Sequence, residues 1–315
     1  MKKIIIIVAI LFVVGSVIEL GIGNYFYNYA VSNHPKSFIA KAKPLQKKDP
    51  NYADLNWFKN QAKKVVWSQE SADHLALKAD YIDNHANKTV IIAHGYMGSR
   101  QEMGLYARLF KQLGYNLLLP DARGHGASEG DYIGYGWPER KDYQGWIKQI
   151  IQKNGTNSKI VLFGVSMGAA TVMMTSGEQL PSQVKAVIED CGYTTAKAEL
   201  TYQQQEMFPK IPPLVSIPVT SLVTRIRAGY FLGQANAVQA LKKSKLPTLF
   251  IHGGDDHFVP TAMVKELYAA HKQNNQHDQL LIVKGADHAE SITKDKTGYY
   301  RTVTKFLAAL NLSTN

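Results

Sequence analysis

A serine flanked by glycines lies near the middle of the chain, in the sequence G-V-S-M-G at residues 164–168. The apolar run at residues 160–163 precedes it and is typical of a strand buried on both faces, and residues 169–171 begin a helix. A strand, a sharp turn and a helix with serine at the turn form a nucleophile elbow. The glycines permit this turn, because side chains there would collide with the strand and the helix. We therefore predict that Ser166 is a nucleophile exposed above a sheet.

A serine nucleophile needs a base and an acid, and histidine is the side chain whose pKa suits the base near neutrality. His288 follows a predicted strand at 279–283, and Asp255 and Asp256 follow one at 248–251. The carboxyl ends of parallel strands meet at one crevice, so these side chains are expected to converge on Ser166. The chain order serine, aspartate, histidine is that of a known triad, with either aspartate as the acid.

An acyl-transfer nucleophile also needs N–H donors where the oxyanion forms. The N–H of Met167 lies at the start of the predicted helix, and H-G-Y-M-G-S at 94–99 follows the first predicted parallel strand. Because Gly95 allows a close turn of the backbone, the N–H of Tyr96 is the predicted second donor. We expect His94 to be a structural hydrogen-bonding residue and not a second base.

The remaining motifs argue against a cofactor or a metal. The chain has one cysteine, Cys191, which excludes an internal disulfide and a cysteine-rich metal site. It contains neither a phosphate-binding loop nor an H-E-x-x-H zinc motif.

In the loop 121–128 we expect Asp121 and Arg123 to pair with each other and brace the site, which is a structural role.

Alternating strands and helices predict the elements that position these side chains. An antiparallel hairpin, with strands at 64–69 and 75–82, comes first. A mainly parallel sheet with helices on both faces then follows. Its strands are predicted at 89–93, 116–119, 160–163, 184–188, 248–251 and 279–283, and its helices at 100–113, 138–153, 261–271 and 297–310.

The segment 194–245 is too long to be a simple crossover connection between two core strands. We therefore predict that it forms a helical cap over the strand ends. Its apolar side chains are candidates for an acyl pocket, although most of them are expected only to pack the cap onto the core. They are Met207, Phe208, Leu214, Val215, Leu222 and Phe231.

The N-terminus carries an almost unbroken apolar run at residues 4–18, preceded by two lysines. Its length favours an uncleaved anchor at residues 1–23 over a cleaved signal, which would give a secreted protein. A stalk is predicted at 24–60 and a catalytic domain at 61–315. Lysines flank the apolar run on both sides, and the two groups indicate opposite orientations in a membrane. We predict a single-pass protein of the cell membrane with its catalytic domain outside.

Composition is that of an ordinary globular protein, with 45% apolar and 19% charged residues. The net charge of +11 is compatible with nucleic acid, an anionic membrane or a cell wall as partner. No nucleic-acid-binding motif accompanies it, so nucleic acid is not expected as a partner.

Together these motifs resemble those of α/β-hydrolase-fold enzymes over about residues 60–312. More narrowly, the chain is similar to bacterial membrane-anchored or exported serine hydrolases grouped with serine aminopeptidase S33-like and YqkD-like proteins. The matching motifs are H-G-Y-M-G-S at 94–99, D-A-R-G-H-G-A-S at 121–128, G-W-P-E-R-K-D at 136–142, G-V-S-M-G at 164–168, H-G-G-D-D-H-F-V-P at 252–260 and D-H at 287–288. The resemblance implies that Asp256 is the acid, with Asp255 its neighbour, and that Tyr96 and Met167 are the oxyanion donors.

The predicted function is a serine hydrolase that works through an acyl-enzyme, as a carboxylesterase on small-molecule esters with short to medium acyl groups. A serine peptidase or an acyltransferase on the same triad is the alternative within enzymes. A non-catalytic surface-binding protein on a hydrolase scaffold is the alternative of another class, which an intact triad disfavours. Because the cap is where such proteins differ most, the resemblance does not extend to the substrate.

Overall fold

The computed structural model describes residues 2–36 and 45–313, apart from the side chains of residues 8–14, 16 and 17. Eight strands in this part of the chain form one sheet, in the order β1-β2-β4-β3-β5-β6-β7-β8. Their bounds are β1 Val65–Glu70, β2 Ala76–Ile82, β3 Lys88–Ala93, β4 Asn116–Pro120, β5 Lys159–Val165, β6 Val184–Asp190, β7 Thr248–Gly253 and β8 Gln279–Val283.

The sheet has the predicted architecture. Strands β1 and β2 form an antiparallel hairpin, and β2 runs antiparallel to β4. The other five pairings, from β4 across to β8, are all parallel. The predicted fold class, an α/β-hydrolase fold with an N-terminal hairpin, is confirmed.

Helices cover both faces of the sheet. The α-helices of the described residues, including those of the cap, are α1 Lys2–Phe26, α2 Tyr52–Asn56, α3 Gly104–Gln112, α4 Glu139–Asn154, α5 Met167–Ser176, α6 Ala196–Met207, α7 Pro213–Ala228, α8 Ala237–Lys243, α9 Ala262–His271, α10 Ser291–Lys294 and α11 Lys296–Ala309. Strand β5 is apolar on both faces because helices pack against both of them. Val161 and Phe163 pack in a cluster with residues of α3 and α11, whereas Ile160 and Leu162 pack with residues of α4.

The cap consists mainly of α6 and α7, between β6 and β7. Helix α7 begins at Pro213, directly after Pro212, and is followed by Gly229, whose φ of 80° suits a glycine at a helix C-terminus. The last helix of the predicted cap segment, α8, lies instead against the end of α5, where a Cβ on Gly177 would approach Ala240 Cα to 2.7 Å. Of the predicted pocket residues, Leu214, Val215, Leu222 and Phe231 are exposed, so the expectation that they pack inward is wrong for these four.

The N-terminal segment packs against the cap. A Cβ on Gly23 would lie 2.7 Å from the carbonyl oxygen of Val219 in α7, so the two helices cross closely. Residues 24–36 do not form the predicted stalk, because Tyr27 and Val31 are buried and the N–H of Ile133 donates to the Val31 carbonyl over 2.7 Å. Part of the predicted stalk, residues 37–44, lies outside the described residues.

The predicted membrane anchor at residues 1–23 is not supported. The apolar run is helical, within α1, but in the part of the chain that the structure describes no helix is both long and apolar enough to cross a membrane. The location in the cell membrane and the outward orientation of the domain stay predictions.

Candidate active site

Ser166 lies at the turn between β5 and α5. Its backbone has φ 55° and ψ −117°, a combination that residues with a side chain rarely adopt. The flanking glycines are required by contact, since a Cβ on Gly164 would lie 2.2 Å from the Gly168 carbonyl oxygen. A Cβ on Gly168 would in turn lie 2.3 Å from the carbonyl oxygen of Ala93 in β3. The strained turn is therefore built into the sheet, and it holds the serine side chain at the sheet's carboxyl edge.

Three side chains from different strand ends meet at this point. His288 Nε2 lies 2.9 Å from Ser166 Oγ, and His288 Nδ1 lies 2.8 Å from Asp256 Oδ2. A carboxylate only accepts hydrogen bonds, so Nδ1 carries the proton and Nε2 is free to accept from the hydroxyl. The predicted serine, histidine and aspartate are thus in hydrogen-bonding contact in the order that a base-activated nucleophile requires.

Asp256 is held as an anion. Its Oδ1 accepts the N–H groups of Phe258 at 2.9 Å and Val259 at 2.8 Å, and its Oδ2 also lies 3.2 Å from His252 Nε2. Burial alone would raise the pKa of Asp256, but hydrogen bonds from His252 and His288 outweigh burial and hold it well below its ordinary value. The charge behind the His288 ring therefore persists throughout the neutral range.

The neighbouring aspartates have other roles. Asp255 is exposed, while its N–H donates to the Ala286 carbonyl over 3.0 Å. Asp287 accepts the N–H groups of His257 at 3.0 Å and His288 at 2.8 Å through Oδ1, which lowers its pKa. Of the two acids that the chain order allowed, Asp256 is the one that contacts the histidine.

The predicted oxyanion donors flank the serine. Met167 is the first residue of α5, so its N–H lies at the positive end of a helix. A Cβ on Gly95 would lie 3.5 Å from Ser166 Cβ, which brings the backbone that leads into Tyr96 next to the nucleophile. The Tyr96 hydroxyl donates to the Ala30 carbonyl over 2.8 Å and ties this loop to the N-terminal segment.

His94 bonds to backbone groups through both ring nitrogens. Nδ1 donates to the Gly95 carbonyl over 2.8 Å, and Nε2 accepts the Ala122 N–H at 3.0 Å. Burial lowers the pKa of His94 to about 4, so the ring is neutral. These contacts match the structural role expected from the sequence.

The expected pairing of Asp121 with Arg123 is wrong. Asp121 pairs with Arg100, whereas the buried Arg123 donates to Asp142 at 2.8 and 2.7 Å and to Asp73 at 2.6 and 3.0 Å. Each member of the pair finds an opposite charge on another element. The loop is therefore braced by three ion pairs, one from Asp121 and two from Arg123.

Two cavities meet at Ser166. The first, which we call the inner chamber, has an empty volume of about 720 Å³, part of which is open to solvent. Its apolar wall comes from the end of α1, the segment after it, α6 and α7. It includes Phe26, Tyr29, Leu200, Met207, Phe208 and Ile217. Met207 and Phe208 were predicted pocket residues, whereas the contribution of the N-terminal segment was not predicted.

The second cavity, which we call the outer cleft, lies on the other side of Ser166 and His288. Its lining includes polar residues of the loops, among them Glu102, His257 and Glu290. His257 and Glu290 are exposed, so this side of the nucleophile faces water. Ser166 therefore borders an apolar chamber and a cleft of mixed lining, in which these polar residues lie beside apolar ones such as Leu105 and Ile292.

Sequence reasoning missed two polar residues at the site. His252, which is fully buried, contacts the triad carboxylate and donates from Nε2 to the Val259 carbonyl over 2.9 Å. Its position four residues before Asp256, in the quoted H-G-G-D-D motif, was the available signal. Glu199 lines the inner chamber, and no pattern in the sequence of α6 pointed to it.

Within the described residues, one group of side chains brings three potential metal ligands within 4.8 Å of one another: Cys191, Asp256 and His288. Two of them already bond to each other. Burial raises the pKa of the Cys191 thiol well above its ordinary value, which disfavours the thiolate that a metal would need. This donor set fits a triad better than a metal centre.

A serine at a strand–turn–helix elbow, at the carboxyl edge of a mainly parallel sheet and beneath a helical cap, defines the α/β-hydrolase class. Comparisons with known proteins agree. Residues 84–212 match the family described as serine aminopeptidase, S33. The chain is 28% identical to YqkD of Bacillus subtilis (strain 168) over the full length of both proteins. It is 25% identical to YfhR of Escherichia coli (strain K12), over 78% of this chain and 83% of that one.

Solved structures share the fold. The Pyrococcus furiosus esterase Pf2001 superposes with a TM-score of 0.68 at 24% identity, over 90% of this chain and 99% of the esterase. The Pyrococcus horikoshii acylaminoacyl peptidase gives a TM-score of 0.61 at 17% identity, over 84% of this chain and 44% of the peptidase. The chain is thus an α/β-hydrolase-fold protein that resembles the S33-like and YqkD-like hydrolases.

Proposed function

We propose that this protein is a serine hydrolase that cleaves carboxylic esters with short to medium acyl groups through an acyl-enzyme on Ser166. The observation that carries the proposal is the contact sequence from Ser166 to His288 to Asp256, at the mouth of an apolar chamber. A hydroxyl with an imidazole nitrogen 2.9 Å away can lose its proton to that nitrogen as it attacks a carbonyl carbon.

The first half of the reaction forms the acyl-enzyme. Ser166 Oγ attacks the ester carbonyl, and its proton passes to His288 Nε2. The imidazolium is stabilised by the anionic Asp256, and the oxyanion by the N–H groups of Tyr96 and Met167. When the C–O bond of the ester breaks, His288 gives the proton to the departing alcohol, which leaves through the outer cleft.

The second half repeats these steps with water as the nucleophile. Water enters from the outer cleft, gives a proton to His288, and attacks the acyl carbon. The Ser166 oxygen then recovers a proton from the imidazolium, and the carboxylic acid leaves. No other reactant is needed, and the acyl chain stays in the inner chamber throughout.

The test is hydrolysis of p-nitrophenyl acetate and butyrate by the wild type and by Ser166→Ala. We expect the substitution to lower kcat by at least about 10³-fold. Ser176→Ala is the matched control, because Ser176 is a buried serine at the far end of α5 whose hydroxyl donates to the Met173 carbonyl. Equal activity of the wild type and Ser166→Ala would refute the assignment, as would failure of the wild type to react with a fluorophosphonate at Ser166.

A peptidase on the same triad is a second candidate, favoured by the family match over residues 84–212. Turnover of aminoacyl amides above that of the matching esters would select it. We favour esters, because the inner chamber places apolar side chains where the acyl group would lie.

A further inference from the structure

One carboxyl group lies in the wall of the inner chamber. Glu199, in the first turn of α6, lines the same cavity as Ser166 and is only 4% exposed. A carboxyl group in an apolar wall has a large desolvation cost unless hydrogen bonds compensate for it. The partners of its two oxygens therefore decide its role.

The two oxygens of Glu199 differ. Oε1 accepts a hydrogen bond from Gln203 Nε2 at 3.0 Å, and the same nitrogen donates to the Phe258 carbonyl at 2.6 Å, which fixes the pair. Oε2 is buried and has no hydrogen-bond partner among the described residues. Glu199 thus lines the chamber and carries one buried oxygen without a hydrogen-bond partner among the described residues.

Gln204, the next polar residue of the chamber wall, shows the contrast. Its Nε2 donates to the Ile211 carbonyl at 2.9 Å, and its Oε1 accepts from Ser216 Oγ at 2.6 Å. Both ends of this amide are therefore engaged within the protein. Gln204 needs no ligand, whereas Glu199 retains capacity for one.

The protonation state of Glu199 decides what that ligand is. Burial raises the pKa of Glu199 to about 8 against the opposing hydrogen bond from Gln203, and the facing groups Asp256 and His252 raise and lower it, respectively. Glu199 is then mainly neutral at pH 7. Because Oε1 already accepts a hydrogen bond, the proton belongs on Oε2, which becomes a free O–H donor.

We propose that the inner chamber accepts an acyl chain that bears a hydroxyl group, and that Glu199 Oε2 donates a hydrogen bond to its oxygen. The inference rests on the proposed ester hydrolysis and names its substrate class, a hydroxyacyl ester. An unsubstituted acyl chain would pack against the apolar walls but leave Oε2 without a hydrogen-bond partner. A hydroxyacyl chain would make the same apolar contacts and would also pair Oε2. An ammonium group would require ionised Glu199, which burial and the nearby Asp256 oppose.

The test compares kcat/KM for methyl butyrate, methyl 2-hydroxybutyrate and methyl 3-hydroxybutyrate. We expect the wild type to prefer one hydroxy ester over butyrate by about tenfold. Glu199→Leu, which has no donor, should bring that ratio close to one, and Glu199→Gln should retain most of it, because an amide still donates. Glu206→Leu is the matched control, since Glu206 is an exposed glutamate of the same helix.

A pH series gives a second readout. The hydroxyacyl preference of the wild type should change as pH rises through about 8, where Glu199 loses its proton and can only accept a hydrogen bond, and that of Glu199→Gln should not change. A wild-type ratio near one for both hydroxy esters would overturn the proposal, as would an unchanged ratio in Glu199→Leu. So would a preference for methyl 3-aminobutyrate that Glu199→Gln abolishes, because it would show an ionised Glu199.

Failure of the proposed ester hydrolysis would give a different result from failure of the role proposed for Glu199. If the wild type hydrolyses none of these esters and Ser166 does not react with a fluorophosphonate, both proposals are overturned. If methyl butyrate is hydrolysed without any hydroxyacyl preference, only the role of Glu199 is overturned.

Discussion

The inner chamber and the outer cleft share Ser166 but differ in chemistry. The chamber is walled by apolar side chains of α6, α7 and the N-terminal segment, such as Leu200 and Phe26. The cleft is lined by loops that carry exposed polar groups, such as His257 and Glu290. An apolar acyl chain gains about 25 cal/mol for each Å² of surface that it removes from water, so the chamber suits it. For the ester substrate that we propose, this difference would place the acyl group inward and the alcohol outward.

Carboxyl groups on the two sides show the same contrast. Burial in the chamber raises the pKa of Glu199 to about 8, whereas backbone N–H groups lower the pKa of Asp287 at the cleft. One environment favours the neutral acid and the other the anion. The residues that we propose as catalytic line or adjoin both cavities, and we expect only these residues to affect every substrate alike.

The largest expected effect comes from His288→Ala. We expect kcat/KM for both acetate and octanoate esters to fall by at least about 10³-fold, because the base serves the reaction whatever the acyl chain. His257→Ala is the matched control, a histidine of the outer cleft that is exposed. A loss confined to one ester would contradict the assignment of His288 as the general base.

A substitution in the chamber should separate the substrates. Leu200→Trp fills space in the chamber, so kcat/KM for p-nitrophenyl octanoate should fall about 10- to 100-fold while acetate changes by less than about threefold. Leu214→Trp, on the exposed face of α7, is the control for adding a large ring to the cap. Equal losses on both esters would mean that the acyl chain does not occupy the chamber.

The triad could be predicted from the sequence, whereas most of the wall of the inner chamber could not. Ser166, Asp256 and His288 each follow a strand closely, and buried strands are recognisable from short apolar runs, so local patterns located all three. The register of parallel strands then brings strand ends together. The fold and the triad contacts were therefore accessible from the sequence.

The chamber depends on contacts between distant segments. The rings of Phe26 and Phe208 meet with centroids 5.2 Å apart, although 181 positions lie between them in the chain. Glu199 and Gln203 lie one turn apart in a helix with mixed polarity, where they look like solvent-facing residues. In the folded chain Glu199 is buried, and Gln203 donates to the Phe258 carbonyl in the loop after β7. Local periodicity carries no information about such contacts.

The mistaken pairing of Asp121 with Arg123 has a related cause. Nearness in sequence suggested the pair, but Arg123 reaches Asp142 in α4 and Asp121 reaches Arg100 ahead of α3. A separation of two residues along a loop does not decide where the side chains point. The folded surroundings supply the partners.

Stability should also distinguish the two sides as pH changes. The pKa of Glu199 is raised above its unfolded value of 4.5, so its contribution is most favourable below that value and is lost as pH rises through about 8. Glu199→Gln should therefore flatten this loss, by about 1–3 kcal/mol between pH 5 and 9. Urea unfolding at pH 5, 7 and 9 measures it.

Asp287→Asn is the comparison on the cleft side. The pKa of Asp287 is depressed, so its contribution is present above the unfolded value of 3.8 and is lost as pH falls through the folded value. Asp287→Asn should leave the change in unfolding free energy between pH 5 and 9 as in the wild type. The contrast would break down if both variants had the same pH profile.

The smallest effect is expected for Glu290→Gln. Glu290 lines the outer cleft but is exposed, and charges in water are screened and interact weakly. We expect kcat/KM for acetate and octanoate esters to stay within about twofold of the wild type. A change above about fivefold would show that the cleft recognises the alcohol through this carboxylate, and the outer side would then be a specificity site as selective as the chamber.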